Sequence, residues 1–269
     1  MCHTVQNNVK PSRAVDLYET TAKHLKKCFP HLKIGGPALA HRLDWAENFL
    51  SEMQKRNVEI DFFTWHYYTR EPERVAAKTE VIRALLDKYG YTKTENILNE
   101  WGYMRGWGED LIYSQECIRS VKGAAYTMGV MSVSQRSSLD MLMYYTTMTS
   151  AFNGAFDYYT FRPLKTYYAL KWYGMLYGMT AEVVCEDKAD NLYTLCGVDE
   201  NGKATCIVTH YSEDDGADDK DVHIDFGKDS RFDVYLLDNE HNATHIGEYT
   251  DLTFKMKVHS CILIVEKGE

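Results

Sequence analysis

Several features are missing or scarce in this 269-residue sequence. No uninterrupted run of about 18 apolar residues occurs, so a membrane-spanning helix is not expected. Only 5 residues are proline, and no internal repeat or low-complexity tract is present, which excludes a collagen-like or disordered chain. Lys and Arg number 30 against 39 Asp and Glu, and the resulting net charge of −9 argues against a nucleic-acid partner. With 45% hydrophobic and 26% charged residues, the composition is that of an ordinary globular protein.

The sequence also has no CxxC pair. Its seven cysteines are odd in number and scattered, which disfavours a zinc site of standard spacing: Cys2, Cys28, Cys117, Cys185, Cys196, Cys206 and Cys261. We therefore predict no metal and no cofactor, and expect mostly buried free thiols in a reducing compartment. Residues 1–8 lack the charged and apolar regions of a signal peptide, which favours the cytoplasm while leaving the compartment open.

The first two-thirds of the chain alternates short apolar runs with amphipathic stretches. Strands are predicted at 32–37, 58–66, 95–101 and 139–146, and helices beginning at 11 and at Asp44 (as its N-cap) and over 75–89, 115–131 and 164–177. This alternation is typical of parallel strands joined by crossover helices.

Beyond residue 178 the pattern changes to strands without intervening helices. Strands are predicted at 192–198, 204–211, 222–226, 232–237 and 252–265, and Asn201-Gly202 marks a hairpin turn. Two domains follow from this change, 1–178 and 179–269. The acidic run 213–221 does not have the spacing of a calcium loop and is expected to be a solvated hairpin loop.

Polar and aromatic residues follow the ends of the predicted parallel strands. They are Gly36 and Pro37, then His66, Tyr67 and Tyr68, then Glu100 and Trp101, then Tyr144 and Tyr145. Catalytic groups of βα-repeat proteins gather at these ends, and a carboxylate at a buried strand end is costly unless it is hydrogen-bonded or used. Two interpretations remain open from spacing alone: a sugar-binding floor around a reactive carboxylate, or a well-packed barrel rim.

Three of these segments together resemble a known group of enzymes. Residues 33–38 (KIGGPA), 61–68 (DFFTWHYY) and 98–101 (LNEW) look like the fifth, sixth and seventh strands of clan A glycoside hydrolases, and the closest similarity is to family 39, which includes β-xylosidases and α-iduronidases. Residues 144–146 and 153–156 resemble the eighth strand and its loop, and 163–169 the last barrel helix. The resemblance implies an α/β plus all-β fold: the C-terminal half of a (β/α)8 TIM barrel, strands 5–8, followed by a small antiparallel β-sandwich.

The resemblance also implies roles. Glu100 corresponds to the nucleophile of a retaining, β-xylosidase-like glycosidase acting on glycosides derived from plant or host polysaccharides. His66 and Tyr68 would line the sugar subsite, with Tyr68 hydrogen-bonding the nucleophile. Trp101, Tyr144 and Tyr145 would contact substrate, although Tyr145 stands where the family usually has Trp. The implied partner is a carbohydrate, with no nucleic acid and no membrane.

One part of the family pattern is missing. Retaining glycosidases need a second carboxylate about 5–5.5 Å from the nucleophile, and in the family it lies in an Asn-Glu-Pro triplet ending the fourth strand. The Asn-Glu pairs here are Asn99-Glu100 and Asn239-Glu240, neither followed by Pro. We expect a missing N-terminal half-barrel or self-association, and weak or no activity of this chain alone. Three acidic residues on loops after strand ends are candidate substitutes, each expected to be a solvated surface group: Glu71, Glu109 and Asp110. Asp157 is a fourth candidate without further support.

A non-catalytic carbohydrate-binding barrel remnant is the alternative function. A metal or phosphate site is disfavoured because the sequence has no histidine cluster, no Gly-rich phosphate loop and no GxSxG elbow.

Overall fold

A computed structural model describes residues 11–185 and 189–268. The first part of the chain alternates helices and strands in the order α1 Pro11–Cys28, β1 Gly35–Leu39, α2 Leu43–Lys55, β2 Phe62–Thr69, α3 Pro72–Lys88, β3 Glu95–Tyr103, α4 Leu111–Arg119, α5 Val121–Gln135, β4 Met141–Tyr144 and α6 Lys165–Tyr177. The strands that follow are β5 Ala181–Val183, β6 Leu192–Val198, β7 Ala204–His210, β8 Lys220–His223, β9 Phe232–Leu237, β10 Asn242–Tyr249, β11 Thr253–Met256 and β12 Ser260–Glu266.

The first four strands form one sheet in the order β1-β2-β3-β4. β1 runs parallel to β2, and β3 runs parallel to β4. Each of these pairs contains one β-bulge. On β1, one extra residue lies between Gly36 and Leu39, which are paired with Phe63 and Trp65 of β2. The second bulge lies on β3, opposite β4. The predicted parallel β/α arrangement is therefore present, with strands that begin two to four residues later than predicted for β1, β2 and β4.

Several helix boundaries differ from the prediction. The helix predicted at 75–89 is α3, Pro72–Lys88, which begins three residues earlier. Asp44 does not cap α2, which begins one residue earlier; it lies in the first turn and pairs with Arg42 at 2.5 Å. The helix predicted at 115–131 is two helices separated at Ser120. The Ser120 hydroxyl accepts from the backbone N–H of Lys122 and donates to the carbonyl of Cys117 at 2.9 Å, so one side chain ends α4 and begins α5.

The later strands form two antiparallel sheets. The larger has the order β10-β9-β12-β7-β6-β5, and the smaller pairs β11 with β8. An apolar cluster joins them, with Val222 of β8 and Met256 of β11 against Val208, Val234 and Ile264 of the larger sheet. Burial of these side chains supplies most of the driving force for the association of the two sheets.

Sequence patterns found most of these strands and missed others. The predictions for 192–198 and 232–237 coincide with β6 and β9. The prediction of one strand at 252–265 was wrong, because His259 has a φ of 60° and the chain turns there, which separates β11 from β12. β5 and β10 were not predicted; β5 has three residues, and β10 is mostly polar and exposed.

The described chain divides into two compact units. The first comprises the chain up to Tyr68 together with Val75–Trp101 and Ser137–Tyr144, and the second comprises Thr69–Arg74, Gly102–Arg136 and the chain from Tyr145. The helices α4, α5 and α6 thus belong to the same unit as the antiparallel sheets, and the domain boundary placed at 178 stays a prediction. No helix in the described ranges is both long and apolar enough to cross a bilayer.

The second unit contains an ion-pair network around a buried lysine that the sequence did not indicate. Lys122 of α5 is buried, and its Nζ lies 2.7 Å from an oxygen of Asp215 and 2.7 Å from the carbonyl of Glu213. The Glu213 carboxylate in turn accepts from Arg105 Nε at 2.6 Å. The start of the acidic run 213–221 is therefore fastened to α5, and the expectation of a solvated loop was wrong for Glu213.

Candidate active site

The candidate active site of the first unit lies on two neighbouring strands, β2 and β3. His66 and Tyr68 are two residues apart on β2, so both side chains project from the same face of the strand. Glu100 lies on β3, close to its carboxyl end. The structure brings these three predicted residues together.

Glu100 contacts both β2 residues through its two carboxylate oxygens. The Tyr68 hydroxyl donates to Oε1 at 2.9 Å, and His66 Nδ1 lies 3.5 Å from Oε2. The side chain of Glu100 is 23% exposed, whereas that of His66 is 7% exposed. The carboxylate therefore has a fixed orientation and a partly exposed side chain, a combination that a nucleophilic carboxylate needs.

A β-bulge places Glu100 at this position. Leu98 of β3 is paired with Leu142 of β4, and Trp101 with Tyr144. Two residues therefore lie between the paired positions on β3, but only one on β4. Asn99 and Glu100 lie within this bulge. Bulges redirect side chains and are frequent beside active sites, and here the extra residue changes how Glu100 is presented relative to the regular pleat.

Trp101 and Tyr144 form an aromatic pair next to the carboxylate. Their ring centroids are 5.2 Å apart at an interplanar angle of 79°, an edge-to-face arrangement. Trp101 is only 1% exposed, whereas Tyr144 is half-buried. Trp101, the residue that follows Glu100, therefore packs against Tyr144 of β4. The contact of Trp101 with substrate stays a prediction.

Tyr145 belongs to the second unit. Its side chain is half exposed, and its carbonyl accepts from Asn153 Nδ2 at 3.2 Å. This hydrogen bond fixes the backbone just after β4. The role of Tyr145 in substrate binding stays a prediction.

Asn96, which sequence reasoning missed, fastens the elements beneath the site. It is fully buried and its side-chain oxygen accepts from Trp65 Nε1 of β2 at 2.7 Å. Its amide nitrogen donates to the carbonyls of Thr79 on α3 and Ser138 before β4, at 3.1 and 3.4 Å. One side chain thus links β2, β3, α3 and the approach to β4. The sequence offers no local signal for this role, because Asn96 follows Glu95 at the start of the strand and only its distant partners identify it.

Asp157, one of the candidate substitutes for the missing acid, has an unsuitable environment. Hydrogen bonds from the backbone N–H and the hydroxyl of Thr160, with help from Arg119, lower the pKa of Asp157 to about 2. Asp157 is therefore ionised at neutral pH and has no proton to donate to a leaving group.

Glu71 is a second candidate substitute, and it is also engaged. Its carboxylate accepts from Arg74 Nε at 2.6 Å, and the pair lies on the surface of the second unit. Glu109 and Asp110 precede α4 and are exposed. These placements agree with the expected surface positions of Glu71, Glu109 and Asp110.

Comparison with known proteins shows that this chain is similar to glycosidases. The family model of glycosyl hydrolases family 39 matches residues 6–97, a range that contains His66 and Tyr68 and ends before Glu100. A β-xylosidase of Geobacillus stearothermophilus is 44% identical over 54 residues, which is 20% of this chain and 11% of that protein. The predicted resemblance to family 39 over part of its length is confirmed.

Solved structures of glycoside hydrolases share the fold. A glucosidase of Croceicoccus marinus superposes with a TM-score of 0.77 at 20% identity over 97% of this chain and 66% of its own. An α-L-arabinofuranosidase of Thermotoga maritima gives a TM-score of 0.66 at 16% identity over 96% of this chain and 63% of its own. This chain thus spans slightly less than two thirds of either structure. The neighbours are TIM-barrel glycoside hydrolases, which confirms the predicted fold class in its coarse form, a parallel β/α part and an antiparallel β part.

Proposed function

We propose that this chain carries the nucleophile side of a retaining, β-xylosidase-like glycosidase, with Glu100 as the nucleophile. The observation that carries the proposal is the pair of contacts that orient the Glu100 carboxylate, the Tyr68 hydroxyl 2.9 Å from Oε1 and His66 Nδ1 3.5 Å from Oε2, while the side chain stays 23% exposed. In the first step one carboxylate oxygen of Glu100 bonds to the anomeric carbon while the bond from that carbon to the leaving oxygen breaks, giving a glycosyl ester of Glu100 and an alkoxide or alcohol. In the second step the oxygen of a water molecule bonds to the anomeric carbon, the bond to the Glu100 carboxylate breaks, and the water gives up one proton to the solvent or to the general base.

The second carboxylate comes, in this proposal, from outside the four strands described above. In the same proposal, this chain supplies strands 5–8 of a TIM barrel, followed by a β-sandwich at 179–269. The neighbours' greater length and the two Asn-Glu pairs without Pro support this division. General acid–base help contributes about a hundred- to ten-thousand-fold. The chain alone is therefore expected to act on aryl glycosides with good leaving groups and hardly at all on oligosaccharides.

The edges of the parallel sheet support the same proposal. β1 and β4 are the edge strands of the four-stranded sheet, and Met141 and Met143 of β4 are exposed. Unpaired edges with apolar side chains associate readily. We propose that an N-terminal half-barrel or a second copy covers them. Light scattering of the isolated chain is expected to show self-association, and a monodisperse 31 kDa species would argue against it.

Covalent trapping tests the proposal directly. Incubation with 2,4-dinitrophenyl 2-deoxy-2-fluoro-β-xyloside is expected to release one equivalent of dinitrophenolate and to add one fluoroxylosyl group, located on Glu100 by peptide mass spectrometry. The isosteric Glu100→Gln variant should gain no label while keeping its fold by circular dichroism. Labelling of another residue, or equal labelling of Glu100→Gln, would overturn the assignment. Sugar binding without labelling in both proteins would instead identify a non-catalytic carbohydrate-binding remnant.

Azide provides a second test because it needs no deprotonation before it attacks. With an acid/base missing, the water-dependent second step limits turnover of a dinitrophenyl glycoside. Azide is therefore expected to accelerate turnover and to give the β-glycosyl azide, since two inversions retain the configuration. An α-glycosyl azide would mean that azide had replaced Glu100 instead of water.

A further inference from the structure

Three cysteine sulfurs meet in the antiparallel part of the second unit. Cys196 of β6 and Cys206 of β7 are directly paired residues of neighbouring strands and form a disulfide. Cys185, two residues after β5, places its sulfur 2.8 Å from the sulfur of Cys196. All three sulfurs lie within 4.8 Å of one another. The expectation of free thiols was therefore wrong for Cys196 and Cys206.

The sulfur cluster, defined as Cys185, Cys196 and Cys206, lines a cavity of about 680 Å³. Apolar side chains form much of the wall around the sulfurs, among them Leu192 and Val208. Cys196 and Cys206 are buried, and Cys185 is half-buried. The sulfurs are thus held by strand pairing on the wall of a cavity that is also lined by the charged or titratable residues Asp221, His223 and Lys228.

We propose that the reduced sulfur cluster is a three-thiolate binding site for a soft divalent metal ion of the zinc group. Zinc–thiolate bonds of about 2.3 Å require sulfur separations of about 4 Å in a threefold arrangement. The three sulfurs lie within 4.8 Å of one another, and after reduction Cys196 has to move away from Cys206 and from Cys185, now 2.8 Å away, to reach that separation. Three thiolates and a divalent ion leave one negative charge and a fourth coordination position. That position opens onto the cavity and takes water.

The disulfide and the metal exclude one another, so the site depends on the redox state. A phosphine converts the disulfide to two thiols: the phosphine gains the oxygen of a water molecule and the sulfurs gain its two hydrogens. Binding of the ion then releases one proton from each of the three thiols. Under oxidising conditions Cys196 and Cys206 are joined, and the set of three ligands no longer exists.

The cluster escaped the sequence analysis because its spacing is not local. Neighbouring cysteines of the cluster are 11 and 10 positions apart along the chain. In standard zinc motifs, only two to four residues lie between paired cysteine ligands. Pairing of β5 with β6 and of β6 with β7 brings the sulfurs together instead. A cross-strand arrangement of this kind becomes visible only with the register of the sheet.

Cadmium titration tests the proposal, with Cys28→Ser introduced in every protein to remove an exposed thiol. After reduction with a phosphine and its removal, one Cd²⁺ per chain is expected, seen as sulfur-to-cadmium charge-transfer absorption. Cys185→Ser should weaken binding about a hundredfold or more, since one of three strong ligands is lost. Cys261→Ser removes a buried thiol outside the cluster and should leave the stoichiometry and affinity unchanged.

Three results would overturn the proposal. The reduced parent could fail to bind cadmium, or Cys185→Ser could bind cadmium as tightly as the parent. The third result is that the control Cys261→Ser loses as much cadmium affinity as Cys185→Ser does. Circular dichroism of each variant shows whether it is folded, and Cys196→Ala provides a second removal within the cluster. The titration does not depend on glycosidase activity, so its failure leaves the proposed function untouched.

Discussion

Replacement of Tyr68 by Phe tests how Glu100 is activated. The substitution removes only the hydroxyl that donates to Glu100 Oε1 at 2.9 Å and keeps the half-buried ring. A hydrogen bond to a charged acceptor contributes about 1.5–3 kcal/mol. Because each 1.36 kcal/mol is a factor of ten in rate, the step that depends on this bond should slow by about 10- to 150-fold.

The second chemical step is the one that depends on it most. The carboxylate regains its full negative charge as it leaves the anomeric carbon, so the Tyr68 hydrogen bond strengthens during that step. In the first step the charge on the carboxylate decreases, and loss of the bond is partly offset. Tyr68→Phe should therefore prolong the lifetime of the fluoroxylosyl-Glu100 ester more than it slows its formation.

Intact-mass spectrometry measures both rates, as appearance of the adduct and as its decay after removal of excess reagent. Tyr67→Phe is the matched control: it makes the same change at the neighbouring, equally half-buried position of β2. Adduct decay in Tyr68→Phe as fast as in the parent would refute the role assigned to Tyr68. Equal slowing in Tyr67→Phe would attribute the effect to the strand and not to the hydroxyl.

Three further predictions concern stability, each measured by urea unfolding. Asn96→Ala should cost about 2–4 kcal/mol, because it leaves the buried Trp65 Nε1 without its acceptor; an unchanged midpoint would contradict the linking role. Lys122→Met should cost about 1.5–3 kcal/mol, because Asp215 and the Glu213 carbonyl lose a charge-assisted hydrogen bond while the carboxylates that remain are at least partly solvated; a more stable variant would mean that desolvation of Lys122 outweighs its pairing. Burial raises the pKa of the Cys261 thiol from 9.0 to about 12, so the unfolded chain loses this proton first as the pH rises. Between pH 9 and 12 Cys261 should therefore lower stability by about 1.4 kcal/mol per pH unit, and Cys261→Ala should show a correspondingly shallower decline.

The sequence was sufficient where local pattern and burial agree. β6 and β9 begin and end as predicted because they alternate within a hydrophobic face and end at turn residues. The split at Ser120 was missed because apolar periodicity continues across it, while the interruption depends on hydrogen bonds of one hydroxyl. β10 was missed because it is an edge strand with few buried side chains, and its identity comes from pairing with β9.

The candidate site divides in the same way. Glu100, His66 and Tyr68 could be proposed from sequence because strand ends and a family resemblance both pointed to them. Their separations, 2.9 and 3.5 Å, depend on the pairing of β2 with β3 and on the bulge at Glu100, which no periodicity reveals. Asn96 and Lys122 were missed because a buried polar residue is recognised only by its partners, and those partners are distant in the sequence.

If the proposed function holds, the compact surroundings of Glu100 explain how a nucleophile can be built apart from the rest of an active site. Glu100 and the two side chains that contact it lie on β2 and β3, joined by the single helix α3, so one β-α-β unit contains every contact of the carboxylate described above. A general acid must instead reach the leaving oxygen on the other side of the anomeric carbon, at about 5–5.5 Å from the nucleophile. Folding of a β-α-β unit therefore builds the attacking group, and only assembly with a further element adds the acid. Under the proposed function, covalent trapping should be an intrinsic property of this chain, whereas rapid turnover should require assembly.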